Sequence, residues 1–143
     1  MRGRNPRVTA ARLLIGMVLF VNLQCAVAFL ASPERFTAGF ELFGEPGVGV
    51  IRGLGILFLM WSVPYAVALT DPIRQRVSLY EAVAMQTIGL VGETTLLATF
   101  PDGHATLAGS VTRFIGFDGA GLVALLLAAW LVRRVISESG CGT

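Results

Sequence analysis

Lysine is absent from this 143-residue chain, whose eleven strongly basic side chains are all arginine. Arginine favours bidentate phosphate contacts. GC-rich coding and the need for charge at helix ends produce the same bias, so the missing lysine assigns no phosphate site. Histidine occurs once and cysteine twice. One histidine excludes a bis-histidine haem within a single chain, and no Cys-x-x-Cys-His segment is present to attach a c-type haem. His104 could ligate a metal only with Asp102 and a group from elsewhere, and a solvated loop histidine is the simpler reading. Two cysteines are too few for a disulfide framework. Cys25 falls in an apolar stretch and Cys141 in the C-terminal tail, further apart than the about 7 Å between Cα atoms that a disulfide tolerates. Both read as free thiols. Neither a cofactor nor a metal constellation emerges, nor does a nucleophile–base pair, and the modest net charge of +2 carries no nucleic-acid signal.

Long apolar runs are what the chain does have. Hydrophobic residues make up 55% and charged residues only 14%. Four stretches, roughly 13–31, 48–69, 79–100 and 114–132, each approach the about 20 residues that span a bilayer as a helix. The expectation is an all-α polytopic protein: residues 1–143 as one four-transmembrane-helix bundle, with a short interfacial helix between helices one and two. Little sequence is left for a soluble active site.

The arginines set the orientation. Arg2, Arg4, Arg7 and Arg12 precede the first stretch, Arg74 and Arg76 lie between the second and third, and Arg133 and Arg134 follow the fourth. Glu34, Glu41 and Glu45 against Arg35 occupy one remaining connection, and Asp102 with His104 the other. Positive charge is retained in the cytoplasm, which predicts a multi-pass cell-membrane protein with both termini inside. Ala26-Val27-Ala28 resembles a signal cleavage site. Asn22 and Gln24 interrupt the run, however, and apolar residues continue to Ala31, so an uncleaved first helix is expected.

Ser32-Pro33 ends that helix. Phe36, Phe40 and Phe43 then recur at i, i+4 and i+7, the stripe of a helix lying in the membrane interface or tucked over the mouth of the bundle. Gly49 and Gly53 make a G-x-x-x-G spacing with Gly55 nearby, permitting close helix approach. Pro64 predicts a kink in the second helix. Residues 105–112 read as a weakly polar turn or surface helix ahead of the fourth span. Gly116, Ala120, Ala124 and Ala128 form a small-residue ridge for contact within the bundle or with a homo- or hetero-oligomeric partner.

Ionisable groups in the hydrocarbon region usually face a protein interior or a cavity. Gln86 and Glu93 share a face of the third helix, seven residues apart, with Gly89 leaving room beside them. Arg52 and Asp118 lie near the outer ends of their helices, and Asn22 near the middle of the first. These five predict a polar cluster, Arg52 pairing with Glu93, Asp118 or both, above Asn22 and Gln86. Glu81, at the cytoplasmic rim, is expected to pair with Arg74 or Arg76.

From Ala11-Arg12-Leu13-Leu14-Ile15-Gly16 the chain resembles the DoxX-like family of four-helix membrane proteins. The resemblance runs through Ser32-Pro33-Glu34-Arg35-Phe36, Phe43-Gly44-Glu45-Pro46-Gly47 and Arg52-Gly53-Leu54-Gly55, covering roughly the first half. Gly53-Leu54-Gly55 stands where the family has adjacent glycines, and Arg52 where an acidic residue is typical. The resemblance implies association with membrane oxidoreductase complexes.

Three functions fit these residues. One is a non-catalytic accessory subunit of a membrane complex, which the resemblance implies is a redox complex. Another is binding or transport of a lipid-like or quinone-like molecule in a cavity floored by the polar cluster. The third is a proton or ion path. A purely structural role, fixing helix register, uses the same polar residues.

Overall fold

A computed structural model describes residues 5–140, and all regular structure among them is helical. Four long helices, α1 (Pro6–Ala31), α3 (Gly44–Thr70), α4 (Arg76–Ala98) and α5 (Ala105–Gly140), are joined by short connections. A one-turn α2 (Glu34–Thr37) and a 3₁₀ turn (Ala38–Phe40) sit between α1 and α3. Each long helix packs against two others, α1 on α3 and α5, α4 on α5 and α3. The bundle is therefore square in plan and antiparallel between neighbours. Three of the four, α1, α3 and α5, are long and apolar enough to cross a membrane by length and composition. The chain is a small, multi-pass helical membrane protein on that basis. Helix α4 is not among the three, because Glu81, Gln86, Glu93, Thr94 and Thr95 dilute its apolar content.

Local sequence explains the helix ends. Asn5 Oδ1 accepts from the Arg7 N–H ahead of Pro6, a side-chain cap beside a proline whose missing donor costs nothing at that position. Asp71 Oδ1 accepts from the N–H groups of Ile73 and Arg74, shaping the tight α3–α4 turn. Helix α3 continues through Pro64.

Two expectations about the end of the bundle opposite the arginines are revised. The segment at 105–112 is no separate turn: α5 is continuous over 36 residues, about 54 Å at 1.5 Å per residue. Its first turn is held from a distance, since Glu41 Oε1 accepts from the Leu107 N–H at 3.1 Å while Oε2 meets His104 Nδ1 at 2.5 Å. A carboxylate at a helix N-terminus satisfies orphan N–H groups and the helix dipole together. The phenylalanine stripe is also broken. Glu41 adopts a left-handed backbone (φ 55°), ending the helical path before Phe43, which is 82% exposed. Phe36 and Phe40 turn inward over the bundle, edge-on to Phe29 with ring centroids at 4.8 and 6.1 Å.

The interior has two apolar clusters. One, at the arginine-rich end, includes Ile15, Leu79, Leu125 and Val132. The other, at the opposite end, is built on Ala26, Phe29, Ile51 and Phe58. Of the predicted close-approach glycines only Gly55 is used: a Cβ there would meet Leu30, Phe29 and the Ala26 carbonyl at 2.9–3.1 Å, whereas Gly49 and Gly53 face open space. The predicted ridge on α5 also divides. Four-residue steps drift about 40° each on a helix of 3.6 residues per turn. Ala124 and Ala128 are consequently buried in the bundle, while Gly116 and Ala120 are exposed.

The Glu41 contact predicts an acid sensitivity. Its carboxyl is held below the usual glutamate range, first by the hydrogen bond with His104 and then by the Leu107 N–H. A carboxylate depressed in the folded state contributes its stability above the ordinary value of about 4.3 and loses it as pH falls through the lower folded value. Thermal unfolding in detergent, followed from about pH 6 to about pH 3, should show a smaller acid-side loss in Glu41→Gln than in the wild type. An unchanged profile would remove the role assigned to this cap.

Candidate functional site

Between the two apolar clusters lies a polar belt supplied by all four long helices. The Tyr65 hydroxyl on α3 donates to Gln86 Oε1 on α4 at 2.6 Å. Gln86 Nε2 in turn donates to Asp118 Oδ1 on α5 at 2.8 Å. Both ends of one amide are thus used, tying three helices. Asn22 on α1 lies within reach of the Tyr65 hydroxyl and is, like Gln86, only 4% exposed. A buried polar group without a partner is costly in an apolar medium, and the Tyr65–Gln86–Asp118 chain avoids that cost for its three members.

Two glycines make the belt possible. A Cβ at Gly89 on α4 would overlap Asp118 Oδ2, and one at Gly121 on α5 would lie 2.7 Å from Gln86 Nε2. Each helix therefore offers a gap to the polar side chain of the other. The space expected beside Gly89 is occupied by the Asp118 carboxyl.

Glu93 stands two turns beyond Gln86 on α4, on the Asp118 side. Its Oε2 is buried and has no hydrogen-bond partner. Beside it a cleft of about 370 Å³ opens between α3 and α4, lined by Trp61, Met85, Ile88, Gly89, Gly92 and Leu96 together with Glu93. Over most of its length the wall is apolar, and Glu93 supplies its only charged group. The cleft lies within the usual size range for small-molecule sites, about 300–1,000 Å³.

Of the five residues predicted to cluster, four come together: Asn22, Gln86, Glu93 and Asp118. Arg52 does not join them. It is exposed and pairs with Glu34 at 3.7 Å. The buried stripe of α3 runs through Ile51, Gly55 and Phe58, and Arg52 stands about 100° round the helix from Ile51. Its long side chain reaches up to the interfacial carboxylate instead of inward. Glu81 likewise forms no ion pair with Arg74 or Arg76 among the described residues. His104 is partnered by Glu41. No group of three potential metal ligands occurs among the described residues. Cys25 is a free, half-buried thiol, and Cys141 lies outside the described residues.

Two members of the belt were missed by sequence reasoning. Tyr65 follows Pro64 in a run that reads as wholly apolar, although a phenol in such a run requires a partner. Gly121 carries no signal without knowledge that Gln86 faces it.

The Tyr65–Gln86 contact predicts energetic coupling. In a double-mutant cycle of Tyr65→Phe and Gln86→Leu, thermal unfolding in detergent should give an interaction energy of about 0.6 kcal/mol and at most about 1.7. Additive losses would show that the two groups act independently.

Compared with family models, curated proteins and solved structures, the chain matches none.

Proposed function

We propose that all four long helices cross the bilayer with both ends of the chain in the cytoplasm, and that the protein holds one lipid-like or quinone-like molecule in the α3–α4 cleft. The observation that carries this reading is the buried, unpartnered Glu93 Oε2 at the edge of a cleft whose other walls are apolar. A lipophile with a hydroxyl head supplies what that oxygen lacks, a donor, while its tail lies along Ile88, Met85 and Trp61.

Four-span crossing is supported by how α4 treats its polar side chains. Thr87, Thr94 and Thr95 donate to the carbonyls of Val83, Leu90 and Val91 on their own helix. Gln86 is spent within the belt. Residence in lipid requires the helix to satisfy its own backbone, and these side chains are bonded within the protein as well. Orientation is supported by the gathering of Arg7, Arg12, Arg74, Arg76, Arg133 and Arg134 at one end of the bundle.

The resemblance to the DoxX-like family favours a second reading, an accessory subunit of a membrane complex. The two are compatible, since a bound lipophile can be the molecule such a complex shares.

Native mass spectrometry of protein extracted into lipid nanodiscs distinguishes them. The cleft reading expects a defined adduct on the wild type that is lost in Glu93→Leu, and identical adducts on both would overturn it. A second polypeptide retained by both variants supports the subunit reading. In a Cys25→Ser/Cys141→Ser background, impermeant maleimide applied to intact cells should label a thiol introduced at Asp102 and spare one at Gln75. The reverse pattern would overturn the orientation.

A further inference from the structure

A second cavity lies at the outer end of the bundle, on the opposite side from the Glu93 cleft, between α1, α5 and the α2–3₁₀ segment. It holds about 380 Å³. Phe29, Phe36, Phe40 and Phe114 line it as one aromatic cluster, Phe29 and Phe114 edge-on at 6.4 Å and Phe40 tilted against Phe114 at 5.9 Å. Arg35 and Arg113 stand at its rim, both exposed. Neither has a carboxylate partner: among the described residues the acidic groups nearby are committed, Glu34 to Arg52 and Glu41 to His104. The one polar contact of Arg113 is a donation to Ser110 Oγ at 3.0 Å, and Ser110 donates onward to the Gly39 carbonyl at 2.6 Å. That relay anchors the Arg113 guanidinium through Nη2 and leaves most of its donors free.

An apolar, aromatic-walled chamber capped by two uncommitted guanidinium groups is complementary to one kind of molecule. We infer that this cavity binds a single-chain amphiphile with an anionic head, its hydrocarbon among the phenylalanines and its carboxylate between Arg35 and Arg113. Guanidinium forks match carboxylate geometry bidentately. A carboxylate head is a singly charged anion for which two arginines suffice, and the chamber's size, near the lower end of the ligand-pocket range of about 300–1,000 Å³, suits one chain. This site is independent of the Glu93 cleft. The two differ in charge: the first offers an accepting carboxyl oxygen to a neutral hydroxyl head, the second offers cationic guanidinium donors to an anionic one.

Cys25 lines the same cavity and makes the proposal directly measurable. In the full chain carrying Cys141→Ser, Cys25 is the only thiol, and its alkylation by N-ethylmaleimide in a neutral maltoside detergent reports access to the chamber. Oleate at about ten times its Kd should slow labelling about tenfold. Oleyl alcohol, with the same chain and no charge, should leave the rate nearly unchanged, as should inorganic phosphate. Measured against its own rate without oleate, Arg35→Gln/Arg113→Gln should lose the protection, while Arg35→Lys/Arg113→Lys, which keeps both charges, should retain part of it. Equal protection by oleyl alcohol would overturn the proposal by showing that charge plays no part. Protection by phosphate alone would overturn it by showing that the chain plays none. Protection surviving in the glutamine pair would overturn the assignment of the arginines, and the lysine pair keeps the test decisive if the glutamine pair does not fold.

Discussion

Lipid gives apolar helices no reason to prefer one another over the solvent around them, so a membrane bundle must be held by close packing and by polar contacts. Here that requirement converges on the seam between α4 and α5. Gln86 and Asp118 meet there because each helix has a glycine where the other carries its polar group. The same amide accepts from Tyr65 through its other end, so α3 is tied to the seam as well. Asn22 brings α1 to the same level. The two apolar clusters on either side then pack in a register the belt has set. Polar groups in this position add modest energy and considerable selectivity, since a slipped register would leave several of them unpaired in hydrocarbon.

The ends of the bundle are built differently. At the arginine-rich end, Arg12 donates to the Thr70 carbonyl at the close of α3, and Arg7 meets Glu138, joining the start of α1 to the end of α5. Exposed pairs of this sort contribute little individually. At the opposite end, aromatic packing and the Glu41 cap hold the short segment after α1 against α5. Aromatic pairs add about 0.5–1.5 kcal/mol each beyond their buried area, and Phe29 touches four other rings. The arginine end is thus closed by charge and the other by packing. The phenylalanine-lined cavity lies at the packed end, and the Glu93 cleft opens sideways between α3 and α4.

Hydropathy made the four long helices legible, together with their order and their antiparallel connections. What escaped the sequence was whatever depends on a distant residue or on angle. The early start of α5 is invisible locally because its capping carboxylate, Glu41, is 66 residues away from Leu107. Arg52 was placed in the wrong direction, and about 100° of rotation moves a side chain from the core to the surface. The small-residue ridge on α5 was read as a straight line along a helix that is not straight in that sense. By contrast, Gln86, Glu93 and Asp118 were found because ionisable or amide groups in an apolar run have few places to go. Tyr65 was not, since a tyrosine counts as apolar until its hydroxyl is asked for a partner.

The polar character of α4 has a consequence for how the protein is made. On the four-span reading, α4 leaves the ribosome before α5 exists, with Asp118, the acceptor for Gln86 Nε2, still to be made. Tyr65 is already present, but the Gly89 gap stays empty until Asp118 is synthesised. If α4 does span, a helix carrying these polar groups enters lipid more readily together with its partner, which would make α4 and α5 a single unit of insertion whose timing follows the synthesis of residues 105–140.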